Sequence, residues 1–152
     1  MRQLIRSDAG VSTIEFALMV PLLILLTVGI LDIARALNAT VVLGSASQEG
    51  AHYAIVNPTA APSAIASAAR QRISPLNGTA VSVTAEYYSA GAATFLPWPS
   101  AGIPASSPGT TGVLVRVTVS YPWTAVSAVV GSVMPGGGSA VLTSSSLMET
   151  RR

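Results

Sequence analysis

The feature that most constrains this chain is an uninterrupted apolar run near its N-terminus. Residues 16–31 read FALMVPLLILLTVGIL and contain no charged side chain. If the run is extended back to Val11, a helix with a rise of ~1.5 Å per residue spans about 31 Å, which is close to the hydrocarbon thickness of a bilayer. The extension includes Glu15, and a carboxylate at such a depth is costly and usually has a partner. The sequence therefore predicts one membrane-spanning helix over residues 11–31.

The charges that flank this run predict its orientation. Arg2, Arg6 and the N-terminal amine precede the run, whereas Asp32 and Arg35 follow it and nearly cancel. The positive-inside rule then places the N-terminus in the cytoplasm and residues 57–152 outside it, as an extracytoplasmic domain. We also expect Asp32 and Arg35 to form an i,i+3 ion pair at the solvated outer boundary of the membrane.

A cleaved secretory signal is the alternative to a retained anchor. The charged start and the apolar run fit a signal peptide, and Ala34 and Ala36 resemble the small residues of a cleavage site. Two residues count against this alternative. Asp32 stands just before that site, and Glu15 interrupts the start of the apolar run.

The composition excludes several classes of function. Only 9% of the residues are charged, compared with about 25% in a soluble domain, which favours a chain that contacts lipid or other subunits. The eight basic residues are all Arg and are scattered, so no basic stripe supports nucleic-acid binding. Because the chain has no Cys, disulfides, thiolate metal sites and a cysteine nucleophile are excluded.

Beyond the apolar run, the sequence predicts an α+β fold. The helical spacing of apolar residues continues past Leu31, so we expect one long helix over about 12–55. It should end before Asn57-Pro58. We expect Pro21 to bend it or to break it locally. A second, short helix is predicted over 63–73, with Ser63 as its N-cap. Strands are predicted at 79–88, 113–121 (ended by Pro122) and 140–150. An irregular loop is expected at 89–112 and a turn at Gly136-Gly137-Gly138, and the pattern at 125–133 is ambiguous but compatible with a short helix.

Residues 10–53 resemble the TadE-like family, the minor pseudopilins of the tight-adherence (Tad/Flp) pilus systems of bacteria. The resemblance covers about the first third of the chain. It is carried by the start at Gly10, Glu15-Phe16-Ala17-Leu18, Pro21 before an aliphatic run, Gly29 with Asp32 soon after, Arg35-Ala36-Leu37 and Glu49-Gly50-Ala51.

The resemblance implies the plan of a type IV pilin. Residues 1–10 would be a leader that a prepilin peptidase removes after Gly10, so that the mature chain begins at Val11 with Glu15 as its fifth residue. In pilin-like proteins this glutamate is thought to pair with the N-terminal amine of a neighbouring subunit, and Phe16 would share that assembly surface. The implied location is the bacterial inner membrane, and the implied partners are the peptidase and other pilins or pseudopilins.

The sequence offers no chemistry for catalysis. The one histidine, His52, has no oriented partner of the kind a general base needs, and the scattered acids do not have the spacing of a metal site or a carboxylate pair. We therefore expect no enzyme activity, no cofactor, no small-molecule substrate and no nucleic-acid partner. The predicted role is structural, in pilus assembly. The alternative is an uncleaved membrane-tethered binding module whose loop 89–112 captures an extracytoplasmic partner.

Overall fold

A computed structural model describes residues 8–74, 76–103, 112–134 and 136–150. A long apolar helix is followed by a small antiparallel sheet and short helices, which confirms the predicted α+β class. In chain order the elements are α1 (Asp8–Val56), α2 (Pro62–Arg70), β1 (Ser82–Ser89), β2 (Thr94–Pro97), β3 (Leu114–Thr124), α3 (Ala128–Val133) and β4 (Ser139–Glu149).

The helix α1 has 49 residues and covers the predicted helix. It continues through Pro21, so the expectation of a local break is wrong. Proline removes only one backbone donor, and the turns on either side keep the helix continuous. The helix ends where the sequence predicted: the backbone N–H of Asn57 and its side-chain amide both donate to the carbonyl of Tyr53, at 2.9 Å and 3.1 Å, and Pro58 follows.

The chain divides into two compact units, which we describe separately. The first contains α1 as far as Arg35 together with residues 125–139. The second contains the rest of α1, α2, the strands β1 to β3 and almost all of β4.

The sheet has the strand order β2-β1-β3-β4. β1 runs antiparallel to β3, with Ser82 opposite Ser120 and Tyr87 opposite Val115. β1 and β2 form a hairpin that the sequence did not predict, because β2 has only four residues and lies in the segment expected to be a loop. Residues 104–111 of that segment lie outside the described residues.

The strand β3 continues past Pro122 to Thr124, so the prediction that Pro122 ends it is wrong. The paired residues of β1 and β3 end at Ser82 and Ser120. Pro122 therefore lies beyond the last β1 pair, where the missing N–H of proline costs no bond to that strand.

The core of the second unit lies where α1 and α2 pack on the buried face of β3. Val115, Val117 and Val119 are fully buried on that face. Small residues of α1 allow a close approach: a Cβ on Gly50 would lie 3.0 Å from Cγ1 of Val117 and 3.2 Å from Cβ of Ala69. The other buried apolar residues of the cluster are Leu43, Ala46, Ala51, Ala54, Ile65, Ile73, Val81, Trp98 and Ile103.

The second helix begins differently from the prediction. Its N-cap is Ala61, which makes no side-chain capping bond, and Pro62 is its first residue. Ser63 therefore lies in the first turn, where its carbonyl accepts a hydrogen bond from the hydroxyl of Ser67 at 2.8 Å. Proline suits this position because its fixed φ matches the helix and its missing N–H has no helical acceptor there. Ile65 and Ala69 of this helix are buried against the rest of the second unit.

Candidate assembly surface and membrane anchor

The first part of α1 exposes apolar side chains on all of its faces. Twelve large hydrophobic residues between positions 11 and 31 are 44% to 73% exposed: Val11, Ile14, Phe16, Leu18, Met19, Leu22, Leu23, Ile24, Leu25, Leu26, Ile30 and Leu31. The most apolar window of 18 residues has a mean hydropathy of 2.5, and none of it is buried. A helix that is apolar all round requires an apolar environment, so this surface fits single-pass anchoring in a membrane.

The four residues predicted for processing and assembly all lie on this exposed part of α1. Gly10, Val11, Glu15 and Phe16 are helical and exposed, and the side chain of Phe16 is 69% exposed. Val11 and Glu15 are one turn apart along the helix, at the i,i+4 spacing of neighbouring side chains. Within the described part of this single chain, Glu15 forms no ion pair.

Asp32, the first residue after the predicted span 11–31, forms a site that the sequence did not predict. Its side chain is only 2% exposed, although α1 is exposed along most of this region. One carboxylate oxygen accepts the backbone N–H of Val126 at 3.0 Å, and the other accepts the backbone N–H of Ser127 at 2.8 Å. These two bonds lower the pKa of Asp32 below its ordinary value because they stabilise the charged form. The bond from Ser127 has the larger effect and the bond from Val126 the second largest.

The ion pair expected between Asp32 and Arg35 is present, but it is not the main contact of this carboxylate. The guanidinium of Arg35 lies 3.2 Å from the carboxylate, and the Arg35 side chain is 55% exposed. An ion pair with one exposed partner contributes little. The pair was expected to be solvated. This is correct for the side chain of Arg35, but it is wrong for the side chain of Asp32, which is buried.

The segment that Asp32 holds, residues 125–139, closes on itself. The N–H of Ala125 donates to the carbonyl of Gly138 at 2.8 Å, and the hydroxyl of Ser127 caps α3 by accepting the N–H of Val130 at 3.1 Å. Gly138 has a φ of +80°, and a Cβ there would come within 2.6 Å of Cα of Gly131. Glycine at 138 thus permits both the left-handed backbone and the close approach.

Residues 10–52 match the family model described as TadE-like protein. We refer to residues 10–52 as the TadE-like segment. The match confirms the resemblance found in the sequence and suggests a membrane protein associated with a Tad pilus. No curated protein and no solved structure matches the chain.

The TadE-like segment covers most of α1 and ends shortly before the helix does. It includes the exposed apolar region, Glu15 and Asp32. Residues 125–139, whose amides bind Asp32, lie outside it, as do all four strands. The domain boundaries predicted at residues 10, 31 and 57 stay predictions.

The described polar residues around His52 lie in one open groove of the second unit. His52 is exposed in an open groove of about 370 Å³, together with Ser45, Gln48, Glu49, Arg72 and Met148. Glu49 and Arg72 form an ion pair at 3.1 Å. In the described part of the chain, no three residues among His, Asp and Glu are grouped so that they could hold a metal ion.

Sequence reasoning missed the role of Asp32 for a physical reason. The groups that bind its carboxylate are main-chain amides, which every residue except proline carries. The side chains of Val126 and Ser127 therefore do not reveal in the sequence that their backbone amides bind Asp32. The available signal was Asp32 itself, a carboxylate at the end of an apolar run, which usually has a partner.

Proposed function

We propose that this protein is a membrane-anchored pseudopilin with a structural role in the assembly of a tight-adherence (Flp-type) pilus. The main support is that residues 10–52 match the TadE-like model and that the first part of this segment, residues 11–31, forms a helix whose apolar surface the fold leaves uncovered. The chain would cross the bacterial inner membrane once, with its N-terminus in the cytoplasm and its sheet on the extracytoplasmic side.

We further propose that a prepilin peptidase cleaves the chain after Gly10. The peptide bond between Gly10 and Val11 lies on an exposed part of α1, before the apolar run. Cleavage would create a new ammonium group on Val11, at the start of the segment that enters the membrane.

This new charge supports an assembly role for Glu15. A carboxylate and an ammonium are each costly alone in lipid. Glu15 is exposed and forms no ion pair within the described part of its own chain. If Glu15 binds the Val11 ammonium of a neighbouring subunit, both charges are neutralised and the axial register of the two helices is defined. The exposed ring of Phe16, the next residue, would add an apolar contact between the helices.

The first test identifies the N-terminal residue of the protein recovered from membranes, with and without the cognate peptidase. We expect Val11 at the N-terminus when the peptidase is present, and Met1 when it is absent. A Gly10→Leu variant should keep Met1 in both cases. An intact Met1 in the presence of an active peptidase would contradict processing and would favour the uncleaved binding module. A new N-terminus near Leu37 would indicate a secreted protein.

The second test separates anchoring from assembly. A photoreactive residue at position 16 reports contacts with other subunits through crosslinks. We expect Glu15→Gln to leave membrane insertion unchanged but to lower strongly the yield of these crosslinks, because glutamine cannot neutralise the ammonium of Val11. Glu149→Gln is the matched control, since it removes an exposed carboxylate from β4 and should not change the crosslinks. Normal crosslinks in Glu15→Gln would refute the pairing mechanism.

A further inference from the structure

Residues 125–139, hereafter the α3 loop, present apolar side chains beside the end of the membrane-spanning segment. Val126 is 72% exposed and Val133 is 80% exposed, and Val133 is the most exposed of the large hydrophobic residues in the described part of the chain. The sequence has no charged residue between Arg116 and Glu149. The loop therefore carries no charge that would have to stay in water.

The position of the loop follows from the carboxylate of Asp32. Asp32 directly follows the apolar run 11–31 on a continuous helix, so it lies at the outer boundary of the hydrocarbon core when that run spans the membrane. The amides of Val126 and Ser127 lie within 3.0 Å of this carboxylate. The start of the α3 loop is thus held at the level of the lipid headgroups.

The backbone of the loop is suited to that depth. Unsatisfied backbone groups are excluded from lipid because each one costs several kcal/mol. In the α3 loop, seven backbone donors have acceptors within the same unit: Ala125, Val126, Ser127, Val130, Gly131, Met134 and Ser139. The loop can therefore leave bulk water without losing hydrogen bonds at these positions.

We propose that the α3 loop is a lipid-binding element that inserts Val126 and Val133 into the outer leaflet of the membrane in which α1 is anchored. A bilayer fits better than a protein partner, because a stable protein interface needs about 1,000 Å² with good complementarity, and a six-residue helix offers too little surface. Lipid contact requires only exposed apolar groups and satisfied backbone at the right depth. The inference depends on the single-pass anchoring in the proposed function, but not on pilus assembly.

The absence of cysteine from the chain allows a direct test. Single variants Val126→Cys and Val133→Cys of the full chain are labelled with an environment-sensitive fluorophore. They are reconstituted, at a low ratio of protein to lipid, in vesicles of phosphatidylcholine and phosphatidylglycerol. Quenching by spin-labelled lipids then reports the depth of each label, and quenching by iodide reports its exposure to water.

Two further variants serve as controls. Leu23→Cys lies in the middle of the predicted span and reports anchoring. Val141→Cys matches Val126 in exposure, at 70%, but it lies on a strand face that also carries exposed Ser and Thr side chains and Glu149. We expect labels at 126 and 133 to lie about 5–10 Å below the headgroup surface, the label at 23 to lie near the bilayer centre, and the label at 141 to respond to iodide alone.

Each other outcome overturns the proposal in a different way. If labels at 126 and 133 respond to iodide as strongly as the label at 141, while the label at 23 stays in lipid, the loop does not bind lipid although the chain is anchored. If labels at 126 and 133 are shielded from both quenchers, a protein covers the loop. If the label at 23 also responds to iodide, anchoring itself fails, and the proposed function fails with it.

Discussion

The Asp32 carboxylate is expected to hold the α3 loop in place, and replacing it should release the two amides that it binds. In Asp32→Ala, the N–H groups of Val126 and Ser127 lose acceptors that lie at 3.0 Å and 2.8 Å. Both bonds are made to a charged acceptor, and such bonds stabilise more than bonds between neutral groups. The affected segment is closed mainly on itself, so the effect should appear as local opening of the loop rather than as unfolding of the sheet.

The magnitude for each amide follows from the strength of its own bond to Asp32. When an amide opens by itself, loss of its hydrogen bond to a charged group raises the equilibrium constant for opening roughly 10- to 100-fold. Hydrogen exchange at the Val126 and Ser127 amides should accelerate by the same factor, because exchange of a protected amide follows its opening. The assay is amide exchange measured on the full chain in lipid nanodiscs, by mass spectrometry of peptides or by NMR. The amide of Val117, in the second unit, should be unaffected.

Two variants show whether the carboxylate itself is responsible. Arg35→Ala removes only the half-exposed partner of the ion pair, and exchange at Val126 and Ser127 should change less than about fivefold. Asp32→Asn keeps one acceptor oxygen and should give an intermediate acceleration. If exchange at both amides is the same in Asp32→Ala as in the unmodified chain, the carboxylate does not hold the loop, and the reasoning is refuted.

Two further predictions follow from the described contacts. Hydrogen bonds lower the pKa of Asp32 in the folded protein. The stabilising effect of the carboxylate is therefore present above the ordinary carboxyl pKa of about 3.9 and is lost only as the pH falls through the lower pKa of the folded state. The amide NMR shift of Ser127 should stay constant down to that range, and a transition above about pH 5 would contradict this prediction. Gly50→Val should lower the free energy of unfolding of the second unit by about 1–3 kcal/mol, since the added Cβ alone meets Val117 at 3.0 Å. Urea unfolding followed by tryptophan fluorescence measures this change. Gly44→Ala should show no such loss, because its new Cβ comes no closer than 3.9 Å to any group outside its own helix.

The short strand β2 and the strand β3 show where sequence patterns are insufficient. Alternating apolar residues predicted β1 and β3, because each of these strands has one more buried and one more exposed face. The four residues of β2 are too few to show alternation, and they become a strand only because they pair with β1. Pro122 likewise suggested the end of β3, but the pairing of β3 with β1 stops at Ser120 opposite Ser82, so Pro122 needs no hydrogen bond to β1.

The sequence by itself determined the anchor, because an apolar run long enough to span a bilayer depends only on local composition. It also determined the extent of α1, the α+β class and the TadE-like character of residues 10–52, since helical spacing and short motifs are local as well. Only the tertiary structure decided that Asp32 is buried and that it binds the α3 loop, 94 residues further along the chain. The partners there are backbone amides, which look the same in every sequence, so only the folded chain can bring them to this carboxylate.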